Sequence, residues 1–333
     1  MILVPPPSIK GTFLQDPTFI ISTGRCGSTI VSNLLRAHPD ILSISEFWPN
    51  RVNLETLFSE EIFSGKEYWD LLSVSVAEDI YKIALDGEIS QVPKACRHEK
   101  NYMKRIALPT LVQDYEQLFQ DIQEYTISLP KSKPAELIIM IFEFIKDKLG
   151  KRVWVERTGA SSDFLGQWKN IWPNLKVIHI YRDGRDCAIS MSKHHAFRLQ
   201  VLRKRRHENT TFYKFTPIPS ESFTLEEFYN HDIGIEEFGS LWNSMINYTL
   251  DEIAEIPKAR VLDISYEQLV EDPKTQLSRL ASFISPLLET EEWVKEQCKV
   301  LHRGRSNWKI MDRNEVVKLT LACEEGLSRL GYI

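Results

Sequence analysis

The stretch Phe19-Ile20-Ile21-Ser22-Thr23-Gly24-Arg25-Cys26-Gly27-Ser28-Thr29 limits the fold more than any other part of this chain. Phe19 to Ile21 is a short apolar run of the kind that forms a buried strand. It passes through a turn into Ile30-Val31-Ser32-Asn33-Leu34-Leu35-Arg36, whose apolar positions have helical spacing. A strand handing over to a helix through a glycine turn aims backbone N–H groups and the positive end of a helix dipole at one point. Gly24 and Gly27 permit backbone angles and close ligand approach that a Cβ would block. Arg25 adds a fixed positive charge, Ser28 and Thr29 add hydroxyl donors, and Thr23 and Cys26 complete the loop. Alone, the stretch is either an anion cradle or an ordinary strand-to-helix turn, because motifs this short recur without function.

Further strand and helix patterns alternate along the chain. Ile41 to Ser45 reads as a second strand, reached after His38-Pro39 breaks the first helix. From there to about residue 130 the spacing is mostly helical, with Leu71, Leu72, Val76 and Ile80 on one face and a polar connector from Gln91 to His98. A helix begins at Pro134 and ends at Gly150, with Leu137, Ile138, Ile141, Phe142, Ile145 and Leu149 on its apolar face. Val153 to Glu156, Lys176 to Tyr181 and Arg260 to Ile264 read as strands. Residues from about 196 to 235 read as irregular, and a long amphipathic helix around Phe238 to Ile253 follows. Strands alternating with helices imply parallel βαβ units that bind ligands at the carboxyl ends of the strands. The expected fold class is α/β: a P-loop-like parallel β-sheet flanked by helices, with a largely helical substrate cap. The 333 residues are expected to form one domain, 1–333, with 50–130 and 196–235 as the cap segments.

A second constellation is Tyr181-Arg182-Asp183-Gly184-Arg185-Asp186, closing at Ser190. Arg182 ends a buried strand, and Ser190 lies on the helix that follows, from which it can turn back to the same rim. A guanidinium fork plus a hydroxyl suits a phosphate dianion. The competing reading is a structural Arg–Asp network with Asp183 capping the helix.

Taken together, the two constellations resemble the two cofactor-binding motifs of the sulfotransferases that use 3′-phosphoadenosine 5′-phosphosulfate (PAPS). The eight-residue step from Arg182 to Ser190 matches that family's spacing. Ile264-Ser265-Tyr266-Glu267-Gln268-Leu269-Val270-Glu271-Asp272-Pro273 resembles the late strand and "YEDLV-DP" turn of the family. Arg303-Gly304-Arg305-Ser306-Asn307-Trp308-Lys309 resembles its C-terminal cofactor-closing loop. The first motif is closer to the "GRSGS" form of carbohydrate and many bacterial enzymes than to the "PKSGTTW" form of the cytosolic small-molecule enzymes.

The resemblance implies that Thr23, Gly24, Arg25, Cys26, Gly27, Ser28 and Thr29 cradle the 5′-phosphosulfate. It further implies that Arg182 and Ser190 hold the 3′-phosphate, and that Arg303, Gly304, Arg305, Ser306, Trp308 and Lys309 close over the cofactor. It implies a sulfuryl transfer from PAPS to a hydroxyl of a small-molecule or carbohydrate acceptor, releasing PAP and needing no metal. Arg25 is then the charge that stabilises the leaving phosphate. Glu46, which ends the second strand, is the leading general base, with capping or pairing to an arginine as its alternative. His98, His194 and His195 rank below it, while His38 and His179 read as structural. Glu156-Arg157-Thr158-Gly159 resembles an "E-K-T-P" segment near the acceptor, which makes Arg157 either a site residue or half of an ion pair. Phe47, Trp48, Phe197, Phe212 and Tyr213 are aromatic residues that could line an acceptor cleft or belong to the core. Phe47, Trp48, His98, Arg157 and His194 are the acceptor-binding candidates. A P-loop-type small-molecule kinase is disfavoured because no lysine precedes Ser28. A non-catalytic nucleotide-binding protein remains the alternative from another class.

Composition narrows the setting. A net charge of -5 argues against a general nucleic-acid binder. Five scattered cysteines, an odd number without metal-type pairing, favour free thiols in a reducing compartment. Met1-Ile2-Leu3-Val4-Pro5 lacks the basic and apolar regions of a signal peptide, and no apolar run reaches membrane-span length. These features give a cytoplasmic expectation. The basic run Arg203 to Arg206 reads as a solvated face.

Overall fold

The computed structural model describes residues 16–47, 56–73, 96, 99, 101–159, 161–206, 225–288, 290–302 and 306–333. Within them, five parallel strands form one sheet in the order β2-β3-β1-β4-β5. They are β1 (Thr18–Ile21), β2 (Ile41–Ser45), β3 (Val153–Arg157), β4 (Lys176–Tyr181) and β5 (Val261–Ser265). β1 lies in the middle, with Phe19 opposite Glu156 of β3 and Ile21 opposite His179 of β4. All five strands therefore end on the same rim, and both constellations emerge there from neighbouring strands.

Side-chain alternation divides the core. Phe19, Ile21 and Val177 face one cluster, with Phe142, Trp154, Leu165 and Trp168. Ile20, Ile178 and Ile180 face the other, with Val31, Leu34, Trp242 and Leu277. Burial on both faces explains why β1 and β4 read as nearly continuous apolar runs rather than as alternating ones. Phe19 is packed tightly enough to lie 4.5 Å from the Trp168 ring and 6.1 Å from that of Trp154. Each such fully buried ring contributes about 1.5–3 kcal/mol relative to exposure.

Local chemistry sets the helix ends. Pro134 opens the helix Pro134–Lys148, where its missing N–H costs nothing. Ser64 and Glu67 form a capping box at Gly65–Leu72, the Ser64 hydroxyl accepting from the Glu67 N–H at 3.3 Å. Asp114 caps Tyr115–Ser128, and Asp272 caps Pro273–Ile284. Among the described residues, no helix is long and apolar enough to cross a membrane.

Two expectations need correction. Residues 195–206 are not irregular but form the helix His195–Arg206, and Leu225–Asn230 is also helical. The first of these is tied down by Arg198, whose guanidinium donates to the carbonyls of Phe228, Tyr229 and His231, a long-range contact that leaves no local periodicity. The fifth strand runs to Ser265 and starts at Val261, because Arg260 closes a short 3-10 turn. The helix after β4 begins at Gly184, where Asp183 supplies its N-cap. Val76, Ile80 and, apart from Cys96, the connector from Gln91 to His98 lie outside the described residues.

Candidate active site

The turn after β1 takes an unusual path. Gly24, Arg25 and Gly27 have φ of 77°, 58° and 98°. Gly27 is the N-cap of the helix Ser28–Arg36, and no side chain caps it. A left-handed arginine carries strain of order 1–3 kcal/mol, which persists only where surrounding contacts impose it, commonly at functional sites. Those contacts are visible. The Cys26 thiol, buried, donates to the Ile180 carbonyl of β4 at 3.2 Å. Ser22 Oγ accepts the Gly24 N–H at 3.3 Å, and the Thr23 hydroxyl turns onto the Gly24 carbonyl at 3.4 Å. Ser28 is buried and Thr29 half-buried.

The Cβ side of the two glycines is filled from within the protein. A Cβ on Gly24 would lie 2.7 Å from the Phe197 ring, and one on Gly27 2.7 Å from the Tyr266 ring. The glycines are thus required for left-handed turns and for the close approach of two aromatic rings. Phe197, buried in the core, serves as packing for the turn rather than as an open cleft wall.

The second constellation rises beside the first. Arg25 Nε donates to Ser190 Oγ at 3.0 Å, closing a gap of 165 residues in sequence. Arg182 lies over the Tyr266 ring at 4.6 Å and 3.4 Å from an oxygen of Asp186. Among the described residues its Nε is buried with no hydrogen-bond partner, a donor available to an anion. Tyr266 therefore touches both constellations, Gly27 on one side and Arg182 on the other. The structural Arg–Asp network also exists, but on the other arginine: Arg185 forks onto Asp183 at 3.0 and 2.7 Å. Glu267 steadies the same corner, accepting the Asp183 N–H at 3.2 Å and the Tyr332 hydroxyl at 2.7 Å.

The C-terminal segment joins this corner in part. Ser306 Oγ and the Asn307 N–H donate to Asp186 at 2.9 and 2.7 Å, and Trp308 lies under the Arg185 guanidinium at 3.7 Å. Lys309 Nζ is 5.6 Å from the Trp308 ring and its residue is exposed. Arg303, Gly304 and Arg305 lie outside the described residues, as do Trp48, His98, Phe212 and Tyr213.

Glu46 stands at the end of β2, with its N–H on the Arg157 carbonyl at 2.8 Å and φ of 51°. Its carboxylate is clamped between Arg157 Nη1 at 3.0 Å and the Gly159 N–H at 3.1 Å. The pairing alternative is therefore realised, and Arg157 is not a surface ion pair, since its side chain is 5% exposed. Two lone pairs per carboxylate oxygen leave acceptor capacity beyond these bonds. Arg157 is also close enough to Cys26 for its charge to act on the thiol, although burial dominates and pushes that thiol up. Arg36 reaches Ser45 Oγ at 3.2 Å, and Ser45 shares hydroxyl contacts with Ser32 at 2.6 Å. Burial, with Arg157 as a second cause, lowers Arg36 to about 10. Glu156, fully enclosed and hydrogen-bonded by Thr158, is held well above the usual carboxylate range by burial. Phe47 does not line an acceptor cleft: it is completely buried, edge-on to Phe142 at 5.1 Å.

The histidines separate. His194 lies by the cradle, its value lowered to about 4 by burial and then by the Arg25 charge. Its Nδ1 accepts the Ala196 N–H at 3.3 Å. His195 packs on Phe228 and Tyr229. His38 accepts the Asp40 N–H at 3.0 Å, and His179 contacts Asp263 at 2.8 Å, so both serve the core. In the basic run, Arg205 forks onto Glu237 at 2.8 and 2.6 Å. Sequence reasoning missed the linking roles of Tyr266, Phe197 and Asp186; the only local signal was that Tyr266 and Asp186 fall inside recognised motifs.

Comparison with known proteins bears on the family and the fold. The model of the sulfotransferase family matches residues 17–286. Flavonol 4′-sulfotransferase of Flaveria chlorifolia is 28% identical over 124 residues, 36% of this chain. The match spans about a third of that relative's length, 32%. The sulfotransferase domain from the curacin biosynthetic pathway superposes with a TM-score of 0.51 at 15% identity, over 96% of this chain and 99% of that one, a likeness of fold. With a family model covering most of its length, this chain belongs to the sulfotransferase family.

Proposed function

We propose that this protein transfers a sulfuryl group from PAPS to an acceptor hydroxyl and releases PAP. The observation that carries the proposal is the Arg25–Ser190 hydrogen bond, which brings two anion-binding constellations into one site. The residues fit a nucleotide with an anion at each end: an uncapped helix start with Arg25 at one pocket, the orphaned Nε of Arg182 with Ser190 at the other. Thr23 to Thr29 would hold the 5′-phosphosulfate, and Arg182, Ser190, Ser306, Trp308 and Lys309 the nucleoside 3′ side. When bound, PAPS supplies the sulfuryl group and a phosphate leaving group.

The protein's own share is positioning and charge. Arg25 places a permanent cation where the leaving phosphate gains charge. Helix N–H groups do the same without reorganisation, since the turn is already set. Glu46 takes the proton of the acceptor hydroxyl on a free lone pair of its carboxylate, and Arg157 with the Gly159 N–H fixes its direction. The Arg157 side chain borders the acceptor. The chain acts as one catalytic domain in the cytoplasm, with 50–130 and 196–235 building the acceptor cap. Incubation with labelled PAPS and a panel of sugars, phenols and aliphatic alcohols tests the reading; label should move to an acceptor hydroxyl. Hydrolysis of ATP–Mg²⁺ or phosphorylation of the same acceptors, with no sulfuryl transfer, would replace it with a kinase.

A further inference from the structure

One buried carboxylate joins the C-terminal segment to the second constellation. Asp186, with its side chain 5% exposed, accepts Ser306 Oγ on Oδ2 at 2.9 Å. Its Oδ1 accepts the Asn307 N–H at 2.7 Å and the Trp308 N–H at 3.4 Å. The same Oδ2 lies 3.4 Å from Arg182 Nη2. The preceding residue, Arg185, supports the Trp308 ring from its fork on Asp183.

A carboxylate beside an anion-binding arginine is unfavourable for phosphate, because it cancels part of the positive potential that the phosphate meets. Its presence there calls for an opposing gain. The gain visible in the structure is order: three donors from consecutive residues end on one buried group, which fixes that stretch before any ligand arrives. Ordering a segment in advance removes its entropy cost from the binding step.

We propose that Asp186 is the positioning residue of the 3′-phosphate pocket, docking residues 306–308 against Arg182 so that the pocket is assembled in the free protein. The inference rests on the PAPS reading above. It makes the contribution of Asp186 specific to nucleotides bearing a 3′-phosphate, although the carboxylate itself touches none.

The test compares PAP with adenosine 5′-monophosphate, which lacks the 3′-phosphate, by isothermal titration of wild type, Asp186→Ala and Asp186→Asn. Asp186→Ala is expected to weaken PAP by roughly tenfold or more and to leave the monophosphate unchanged, given the usual strength of bonds to a charged acceptor. Asp186→Asn keeps a carbonyl oxygen for the two backbone donors and should fall between, at about a threefold loss of PAP. Should the alanine variant not fold, the asparagine variant decides by that criterion. Hydrogen exchange of the unliganded protein gives an independent readout: the Asn307 and Trp308 amides should exchange faster in the variants. Tighter PAP binding in Asp186→Ala would mean that the carboxylate only competes for Arg182, and would overturn the inference. Equal losses for both nucleotides, or unchanged amide exchange, would overturn it as well. A wild-type protein that does not prefer PAP defeats the PAPS reading instead, whereas wild-type preference kept intact in both variants defeats only the role of Asp186.

Discussion

Replacing Glu46 by glutamine separates its chemistry from its packing. The wild-type carboxylate meets two donors, Arg157 Nη1 at 3.0 Å and the Gly159 N–H at 3.1 Å. A glutamine has one acceptor oxygen and one NH₂ group in the same outline, so one of those donors must face another donor. Leaving a buried donor unpaired costs about 1–3 kcal/mol of stability. Alanine, which removes the carboxylate from both donors, should cost more stability than glutamine. If Glu46 is the base, the glutamine variant should also lose roughly 10²–10⁴ in kcat, the usual share of general-base catalysis. PAP affinity should stay near the wild-type value, because the proposed base would face the acceptor rather than the nucleotide. The assays are urea denaturation, PAP titration and steady-state transfer of labelled sulfuryl group at saturating PAPS. Wild-type turnover in a variant that shows the stability loss would refute the reasoning and move the base to His194, on which the Arg25 charge acts.

Other perturbations probe the rest of the site. Gly27→Ala puts a Cβ at a φ of 98° and 2.7 Å from the Tyr266 ring, so a stability loss of about 2–4 kcal/mol is expected by denaturation; a change under about 0.5 kcal/mol would contradict the packing described. Ser190→Ala and Arg182→Ala should each weaken PAP by about 1.5–3 kcal/mol in a titration, and unchanged affinity in both would remove the second pocket. His194 gives a pH signature. Its folded value of about 4 lies below the ordinary 6.5 of a histidine, so the unfolded chain binds the extra proton between these values. The stability tied to that site is whole above about 6.5 and lost as pH falls toward 4. His194→Asn should flatten this part of the denaturation-midpoint curve, and identical slopes would show that other groups carry it.

The parts of this site that were legible in the sequence are those encoded within one short run of consecutive residues. Phe19 to Arg36 announces strand, turn and helix because apolar periodicity and two glycines act locally. Arg182 and Ser190 were legible for the same reason, as a strand end and the helix behind it. What stayed hidden depends on partners far along the chain. Glu46 meets Arg157 across 111 residues of sequence, through adjacent strands β2 and β3 that pair Ser45 with Arg157. Phe197 reaches Gly24 from a helix whose periodicity is blurred by five basic residues among its twelve, Arg198, Arg203, Lys204, Arg205 and Arg206. The glycines were assigned to ligand approach because a Cβ-free position says only that something comes close, not which group. Tyr266 and Asp186 sat inside recognised motifs without visible roles, since each acts by touching two elements at once.

The central claim is a site with two anion pockets matched to a 3′-phosphorylated nucleotide. Calorimetric titration of the wild-type protein with PAP, adenosine 5′-monophosphate and ATP–Mg²⁺ tests it most directly. The geometry of Arg25, Arg182 and Ser190 predicts that PAP binds tightest of the three, and that Arg182→Ala removes its advantage over the monophosphate. Tighter binding of ATP–Mg²⁺ than of PAP would contradict the claim.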